Sequence, residues 1–317
     1  MSAMTDSTRQ VTTAGAKPKR DRGPSWARNK WFTPWLFVGG ALAVVLVMTI
    51  FPFFNTIVLS FTDATMLKSG KFVGFANFTK LFHDERFGTA MLNSALYVVC
   101  VVPFMVVLPL LLAVLVTGKA KILGFFRTAY YVPVVMSAVV VGLVWTSLLE
   151  TKGLINSLFQ WLHIITEPIP FLTDRWLLLF SAMFVTIWTG LGYYMVIYLA
   201  ALASIEPTLY DAAAVDGAGA TRKFLSVTMP GVRNTMGLIA MFSSISAFRV
   251  FGELYTLTGG TGGPGGQDMT MTMLIQNEGT GLHAQTGYAG AISLVMFAVL
   301  AVLLVGQVVL QNRQEKN

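Results

Sequence analysis

The sequence predicts an all-α integral membrane protein with six transmembrane helices. Hydrophobic residues make up 55% of the 317 residues, and charged residues only 12%, about half of the roughly 25% charge that is typical of soluble domains. Charge-free apolar stretches recur along the chain, and most reach the length of about 20 residues that a membrane-spanning helix needs. The basic residues are concentrated in the polar segments between these stretches, which is how membrane proteins set their orientation.

The predicted transmembrane domain covers residues 31–312 and follows a polar, basic tail at residues 1–30. Its six helices are expected at about 35–60, 88–116, 125–149, 176–203, 234–257 and 285–310. The first apolar run is too long for a signal-peptide core, so it is interpreted as a retained span. Arg249 and Glu253 interrupt the fifth helix, but its apolar pattern continues to Leu257. Residues 313–317 form a short C-terminal tail.

The distribution of Lys and Arg predicts which side of the membrane each segment faces. With the N-terminus in the cytoplasm, the cytoplasmic segments carry 15 of the 22 basic residues and the outer segments carry 6. Since basic residues accumulate on the cytoplasmic side, both termini are predicted to be cytoplasmic. The loop at residues 204–233, between the fourth and fifth helices, is then cytoplasmic too.

Two outer segments have a distinctive composition. Lys71–Phe87 is rich in aromatic residues, which suits a helix lying at the membrane surface. Thr258–Asp268 is rich in glycine and contains Pro264, which predicts an irregular turn that returns the chain to the bilayer. A phosphate-binding P-loop is excluded there, because the segment lacks the required lysine and a preceding strand.

Several other classes of site are also disfavoured. Cys100 is the only cysteine, so a disulfide framework is excluded. The net charge of +7 is spread between apolar spans, so no nucleic-acid partner is predicted. His83, His163 and His283 lack the spacing of metal ligands and fall in outer segments, so no metal site is predicted.

The cytoplasmic loop predicts two short helices. Pro is favoured at the first helical position, so Pro207–Val215 can form about two turns, and Asp216-Gly217 would end them. A second helix can run from about Thr221 to Thr228, before Pro230. Leu209, Ala212 and Ala213 would form a small apolar stripe that suits insertion into a groove of another protein. An amphipathic connector resting on the membrane is the alternative interpretation.

The same loop resembles the signature of the permease subunits of binding-protein-dependent ATP-binding-cassette (ABC) importers. That signature is E-A-A, three residues, G, nine residues, I-x-L-P. The matching residues here are Asp211, Ala212, Ala213, Gly217, Val227, Met229 and Pro230. Asp replaces Glu, Val replaces Ile and Met replaces Leu, so charge or apolar character is kept at each position.

Other segments are similar to the carbohydrate-importer branch of that family, the maltose and glycerol-3-phosphate type. They are Val73–Phe78, Tyr130–Trp145, Gly153–Asn156 and Phe248–Gly260, the last followed by an insertion near Gly262-Gly263-Pro264. The similarity extends over roughly Trp35 to Leu310. It implies the type I ABC importer permease fold in a bacterial cell membrane.

The resemblance also implies a mechanism and partners. The loop would be a coupling helix held in a cleft of an ATPase subunit, through Glu206, Asp211, Ala212, Ala213, Asp216 and Gly217. The expected partners are a second homologous permease, two ABC ATPases, an extracytoplasmic solute-binding protein and the lipid bilayer. ATP and Mg²⁺ would be bound by the ATPases and no cofactor by this chain, which would be a transport subunit and not an enzyme.

Candidate residues for the solute pathway come from the fourth and fifth helices. Gly190, Tyr193 and Ser243 match small or polar positions of the sugar permeases, and Trp188 is a neighbour that could equally face lipid. Arg249 and Glu253 are ionisable residues inside a span, four residues apart, and could pair on one helix face. A packing role, or for Arg249 and Glu253 a place near the outer interface, stays open for each.

Three other functions compete with import of a sugar. Members of the same superfamily could carry glycerol phosphate, a polyamine or another small solute. A polytopic membrane enzyme should have a cluster of His, Asp or Glu within its spans, but only Arg249 and Glu253 are ionisable there. A passive channel should depend neither on ATP nor on the cytoplasmic loop.

Overall fold

The computed structural model describes residues 33–118, 120–281 and 284–315. The basic tail at residues 1–30, His283, and Lys316 and Asn317 lie outside the described residues. Six helical segments in the described part are long and apolar enough to cross a bilayer. The β-structure of this part consists of two isolated antiparallel bridges, Thr62–Phe72 and Thr65–Lys68. The predicted all-α fold with six membrane helices is therefore confirmed.

The described chain contains fifteen α-helical segments. In chain order they are α1 (Thr33–Val45), α2 (Phe51–Ser60), α3 (Ala76–Phe82), α4 (Glu85–Leu115), α5 (Lys121–Val135), α6 (Ala138–Leu149), α7 (Leu154–Trp161), α8 (Arg175–Ala203), α9 (Pro207–Val215), α10 (Ala220–Lys223), α11 (Met229–Gly231), α12 (Arg233–Phe248), α13 (Gly252–Leu257), α14 (Met271–Gly279) and α15 (Thr286–Glu315). π-Helical turns at Leu46–Ile50 and Phe224–Thr228, and a 3-10 turn at Pro264–Gly266, connect some of them.

The chain divides into two compact units, one ending at Phe54 and one beginning at Asn55. The first unit contains α1 and the following π-helical turn. Its apolar side chains are largely exposed, including Trp35, Val44 and Met48. In a bilayer such a surface is satisfied by lipid, since hydrocarbon is as apolar as these side chains.

The third predicted helix, at about 125–149, is two helices in the structure. α5 ends at Val135, Met136 and Ser137 are extended with ψ of 146° and 135°, and α6 begins at Ala138. Pro133 lies in the last turn of α5. A proline has no backbone N–H to donate to the carbonyl four residues earlier, so Pro133 weakens the last turn of α5 before the break. α6 together with α7 forms the segment of spanning length, Ala138–Trp161.

The fifth predicted helix, at about 234–257, is also interrupted. α12 ends at Phe248, and α13 starts at Gly252 after a turn in which Phe251 has φ −142° and ψ −60°. The side chain of Thr270 donates a hydrogen bond to the carbonyl of Val250 (3.0 Å) inside this break. A side chain of the protein thus supplies a hydrogen bond that the interrupted helix does not. Backbone groups outside regular helices need such partners where no water is present.

The core of the second unit is centred on α4, which packs against α8 and α12. Tyr97, Val101 and Met105 of α4 are buried there with residues of α8. The hydroxyl of Tyr198 donates a hydrogen bond to the carbonyl of Val106 (2.9 Å) and ties α8 to α4. This packing fixes the position of α8, and Met105 of α4 also lines the site described below.

A short helix that the sequence did not predict, α14, follows the glycine-rich turn. The amide of Asn93 on α4 donates to the carbonyls of Gln267 (2.7 Å) and Met269 (2.9 Å). The hydroxyl of Ser94 accepts a hydrogen bond from the backbone N–H of Met271 (3.0 Å). The predicted irregular turn is therefore present, and α4 holds its far end.

A charged cluster lies at the start of α4. Asp84 accepts hydrogen bonds from the backbone of Arg86 (2.9 Å) and from the hydroxyl of Tyr288 (2.8 Å), and Arg86 also pairs with Glu278 (2.8 Å). Burial alone would raise the pKa of Asp84, but the hydrogen bonds from Tyr288 and Arg86 hold it below its usual value. The cluster joins α4 to α14 and α15.

Candidate functional site

A cavity of about 520 Å³ opens between α8, α12 and α13 and the break that separates α5 from α6. Its volume lies in the range of small-molecule sites, roughly 300–1,000 Å³. It is lined by Met105, Pro133, Val134, Met136, Ala138, Val141, Thr186, Thr189, Gly190, Tyr193, Tyr194, Phe242, Ile245, Ser246 and Glu253. Aromatic rings, hydroxyl groups and one carboxylate thus share a mainly apolar enclosure.

One face of α8 supplies the polar wall of the cavity. Thr186, Thr189, Gly190 and Tyr193 are spaced i, i+3, i+4 and i+7, so they form a single stripe along the helix. The hydroxyls of Thr186 and Thr189 donate to the carbonyls of residues one turn earlier, at 3.0 and 3.1 Å. Their remaining capacity toward a solute is as acceptors.

Gly190 allows close packing at the edge of this stripe. A Cβ atom at Gly190 would come within 2.4 Å of Met105 Cε. Tyr193 is 48% exposed, and its ring meets Tyr194 edge to face with the centroids 5.2 Å apart. The absence of a side chain at Gly190 therefore leaves room for Met105 in the cavity wall, and the rings of Tyr193 and Tyr194 flank the cavity nearby.

Glu253 reaches the cavity from the first turn of α13. It is half-buried and makes no hydrogen bond or ion pair with the described residues. Arg249 is exposed and does not line the cavity. Arg249 and Glu253, for which the sequence left pairing on one helix face open, form no ion pair, because the chain leaves the helix between them.

The structure places two other candidates away from the cavity. Ser243 is 2% exposed, and its hydroxyl donates to the carbonyl of Ile239 (2.7 Å). Trp188 packs edge to face on Trp145, with centroids 5.5 Å apart, and lines a separate apolar groove that also contains Phe104. Of the six pathway candidates, Gly190, Tyr193 and Glu253 come together, and Ser243, Trp188 and Arg249 do not join them.

Both broken helices contribute to the cavity wall. Pro133 and Met136 stand on one side of the first break, and Ala138 on the other. α13 packs on α6 closely enough that a Cβ at Gly142 would lie 2.5 Å from Thr256 Cβ. Irregular backbone at membrane depth is tolerated where it lines a cavity, and interrupted helices are the usual place for transporter binding sites.

The loop between α8 and α12 contains the two predicted short helices. α9 spans Pro207–Val215, and α10 with the π-helical turn covers Ala220–Thr228. α9 ends in a Schellman motif, in which the N–H of Ala218 bonds to Ala213 O (2.9 Å) and the N–H of Gly217 to Ala214 O (3.0 Å). Gly217 has φ +72°, which places it in the left-handed conformation that this motif requires.

The side chains of α9 are mostly available to a partner. Ala213 is half-buried, whereas Leu209 and Val215 are 53% and 88% exposed. The other loop residues singled out by the sequence are also exposed: Glu206, Asp211, Ala212, Asp216 and Gly217. Sequence reasoning missed Tyr210, whose hydroxyl lies 3.0 Å from Thr228 Oγ1 and braces α9 against the returning chain.

The chain is similar to known transport proteins along most of its length. It is 32% identical over 271 residues to the lactose transport system permease protein LacF of Rhizobium radiobacter, covering 85% of this chain and 90% of the relative. The chain belongs to the ABC transporter permease family. The permease is also 31% identical over 300 residues to the diacetylchitobiose uptake system permease protein NgcF of Streptomyces coelicolor, covering 91% of this chain and 84% of the relative.

A solved structure has the same fold as the permease. It is a bacterial ABC transporter involved in the import of the acidic polysaccharide alginate, with a TM-score of 0.75 and 21% sequence identity over 91% of this chain and 98% of the solved one. No family model matches the sequence. The permease is a multi-pass membrane protein and a transport subunit, not an enzyme.

Proposed function

We propose that the permease passes a sugar across a bacterial cell membrane as one subunit of an ATP-driven importer. An external solute-binding protein delivers the sugar, a second homologous permease completes the pathway, and two ABC ATPases hydrolyse ATP with Mg²⁺. The observation that carries the proposal is the family membership, because the relatives named above are permeases for lactose and diacetylchitobiose. This chain itself holds no cofactor in the proposal.

The cavity supports a sugar as the solute. Tyr193, Tyr194 and Phe242 offer ring faces and edges, which suit the apolar faces of a pyranose. Thr186, Ser246 and other hydroxyl groups provide hydrogen-bonding partners for its polar edge. A mainly apolar enclosure with a few placed polar groups is the usual composition of a small-molecule site.

The loop supports coupling to an ATPase. α8 lines the cavity at Tyr193 and continues as a helix to Ala203, and α12 runs from Arg233 to the cavity at Phe242. At 1.5 Å per residue, each path along a helix is only about 14–15 Å long. A movement imposed on α9 by closing ATPases would therefore act on two walls of the cavity, which is the link that alternating access needs.

The excess of basic residues places this loop in the cytoplasm, together with both termini. In this orientation α9 and the Glu206–Gly217 segment face the side on which ATP is available. The exposed Leu209 and Val215 then have an ATPase cleft as their partner.

The conformation of Gly217 gives a direct test of coupling. Its φ of +72° disfavours every side chain, while a Cβ there would meet no atom within 4 Å. Replacing Gly217 by Val should strain the end of α9 by about 1–2 kcal/mol without any clash inside the chain. In proteoliposomes that contain the whole transporter, we expect ATP-dependent uptake to fall several-fold while basal ATP hydrolysis continues.

Gly219 provides the matched control. It also has open space around its Cβ position, but its φ of −69° is compatible with any residue. Gly219→Val should keep most of the uptake. Equal uptake by the Gly217→Val and Gly219→Val transporters would count against the proposed coupling role.

A further inference from the structure

We propose that Glu253 makes the cavity select by charge, so that it admits neutral and cationic saccharides and rejects acidic ones. The inference rests on the proposed function and narrows its substrate class. It depends on the contacts of Glu253, on the charge of the cavity wall and on the hydrogen-bonding state of the hydroxyl groups around it.

The cavity carries a single sign of charge. Among the described residues that line it, Glu253 is the only ionisable acid and no Lys, Arg or His is present. Arg249, the basic residue closest to it in sequence, is exposed and lines no part of the cavity. An anion entering the cavity would thus meet a negative charge in an environment where water screens poorly.

Glu253 is also free to act on a solute. The ion pairs of the described residues join Arg86 to Asp84 and Glu278, and none involves Glu253. An ionisable side chain within the membrane is expensive to keep there, so one without a partner in the protein is a candidate for a role in function. A solute that supplies the missing partner would be favoured.

The surrounding hydroxyl groups fit the same solute class. Thr186 and Thr189 already donate their protons to backbone carbonyls, so they can only accept from a solute. The carboxylate of Glu253 is likewise an acceptor. Sugar hydroxyls and ammonium groups donate hydrogen bonds to these acceptors. A carboxylate on the solute would have hydroxyl donors such as Tyr193 and Ser246 but no cation, and it would share the cavity with the carboxylate of Glu253.

The fold itself does not impose this choice. The transporter with the same fold and 21% identity imports the acidic polysaccharide alginate. A preference against acids in this permease would therefore come from cavity residues, and Glu253 is the residue with the charge to create it.

Charged thiol reagents can measure the field of Glu253 without knowledge of the natural sugar. Cys100 is the only native cysteine, and Ser246 lines the cavity. The experiment uses the whole transporter with the Cys100→Ser, Ser246→Cys permease. The protein is treated with cationic, neutral or anionic methanethiosulfonates, and mass spectrometry of the peptide that contains residue 246 gives the rate of labelling. Each rate is divided by the rate for a free thiol in solution.

We expect the cationic reagent to react about tenfold faster than the anionic one, and Glu253→Gln to bring the ratio close to one. Glu150→Gln, at an exposed carboxylate away from the cavity, is the control and should leave the ratio unchanged. A ratio that does not respond to Glu253→Gln would overturn the inference.

Protection by sugars separates this inference from the proposed function. Glucose and glucosamine at high concentration should slow labelling by the neutral reagent, and glucuronate should do so only after Glu253→Gln. Protection by glucuronate equal to that by glucose in the permease with Glu253 would overturn charge selection. If no sugar slowed the labelling while the cationic reagent still reacted faster than the anionic one, the proposed sugar site would be contradicted. The effect of the Glu253 charge on ions in the cavity would still be established.

Discussion

Asp268 is the acidic residue of the outer turn, Thr258–Asp268. It is fully buried, and neither carboxylate oxygen has a hydrogen-bond partner among the described residues. The turn folds so closely around it that a Cβ at Gly263 would lie within 2.2 Å of its Oδ2. Burial raises the pKa of Asp268 to about 7, although the charge of Arg175 opposes the rise.

This raised pKa predicts that Asp268 weakens the fold as the pH increases. The folded state keeps a proton that the unfolded state loses near pH 4, so stability declines between about pH 4 and 7. Asp268→Asn should therefore raise the thermal midpoint at pH 8 and change it little at pH 4. Differential scanning fluorimetry of the detergent-solubilised transporter would measure both.

Asp216→Asn is the control, since Asp216 is exposed at the end of α9. It should show no such dependence on pH. A gain from Asp268→Asn of the same size at pH 4 and pH 8 would contradict the burial argument.

At the scale of the elements, the contact of α5 with α8 depends on Gly192. A Cβ at this position would lie 2.2 Å from the backbone oxygen of Tyr130. Backbone cannot move aside as a flexible side chain can, so Gly192→Ala should force the helices apart at a cost of about 1–3 kcal/mol. We expect a lower thermal midpoint and faster proteolysis at the α4–α5 connection.

Gly124 on α5 offers the matched substitution, because a Cβ there would meet no atom within 4 Å. Gly124→Ala should be neutral or slightly stabilising, since alanine is the better helix former. If both variants melted at the same temperature, close packing at Gly192 would not be what holds α5 on α8.

The number of spans could be predicted from the sequence, because hydrophobicity and length alone mark a membrane helix. The bounds of the third could not, since the segment of spanning length is Ala138–Trp161 and not 125–149. The exact breaks at Met136–Ser137 and Arg249–Phe251 could not be predicted, because Pro133 and Arg249 mark an interruption only roughly and the apolar pattern resumes after each. α14 was not predicted, since nine residues of mixed polarity resemble a loop.

The cavity could have been predicted better than it was. The stripe Thr186, Thr189, Gly190 and Tyr193 has helical spacing that is visible in the sequence. Trp188 lies two residues from Thr186, about 200° around the helix, and this explains why it faces the other way. The sequence could not show that Glu253 has no ion-pair partner. On a continuous helix Arg249 would lie one turn away from it, and the structure shows that the helix is interrupted between the two residues.

In the molecule as a whole, one pair of helices connects the cavity with the cytoplasmic loop of the proposed function. α8 lines the cavity near its middle and α12 lines it in its C-terminal half, and the loop with α9 connects the end of α8 to the start of α12. We propose that this loop faces the cytoplasm and is held by an ATPase. Its position across the membrane and its partner can be determined together.

The most direct measurement places a cysteine at Ala212 in the Cys100→Ser permease and, separately, at Lys152, an exposed residue of a predicted outer segment. Intact cells are treated with a membrane-impermeant maleimide, and isolated membranes with a short bifunctional cross-linker. If the loop has the proposed position, only the cysteine at 152 is labelled from outside and only the cysteine at 212 cross-links to an ATPase subunit. Labelling of residue 212 from outside, or no cross-link to an ATPase in active transporter, would contradict this proposal.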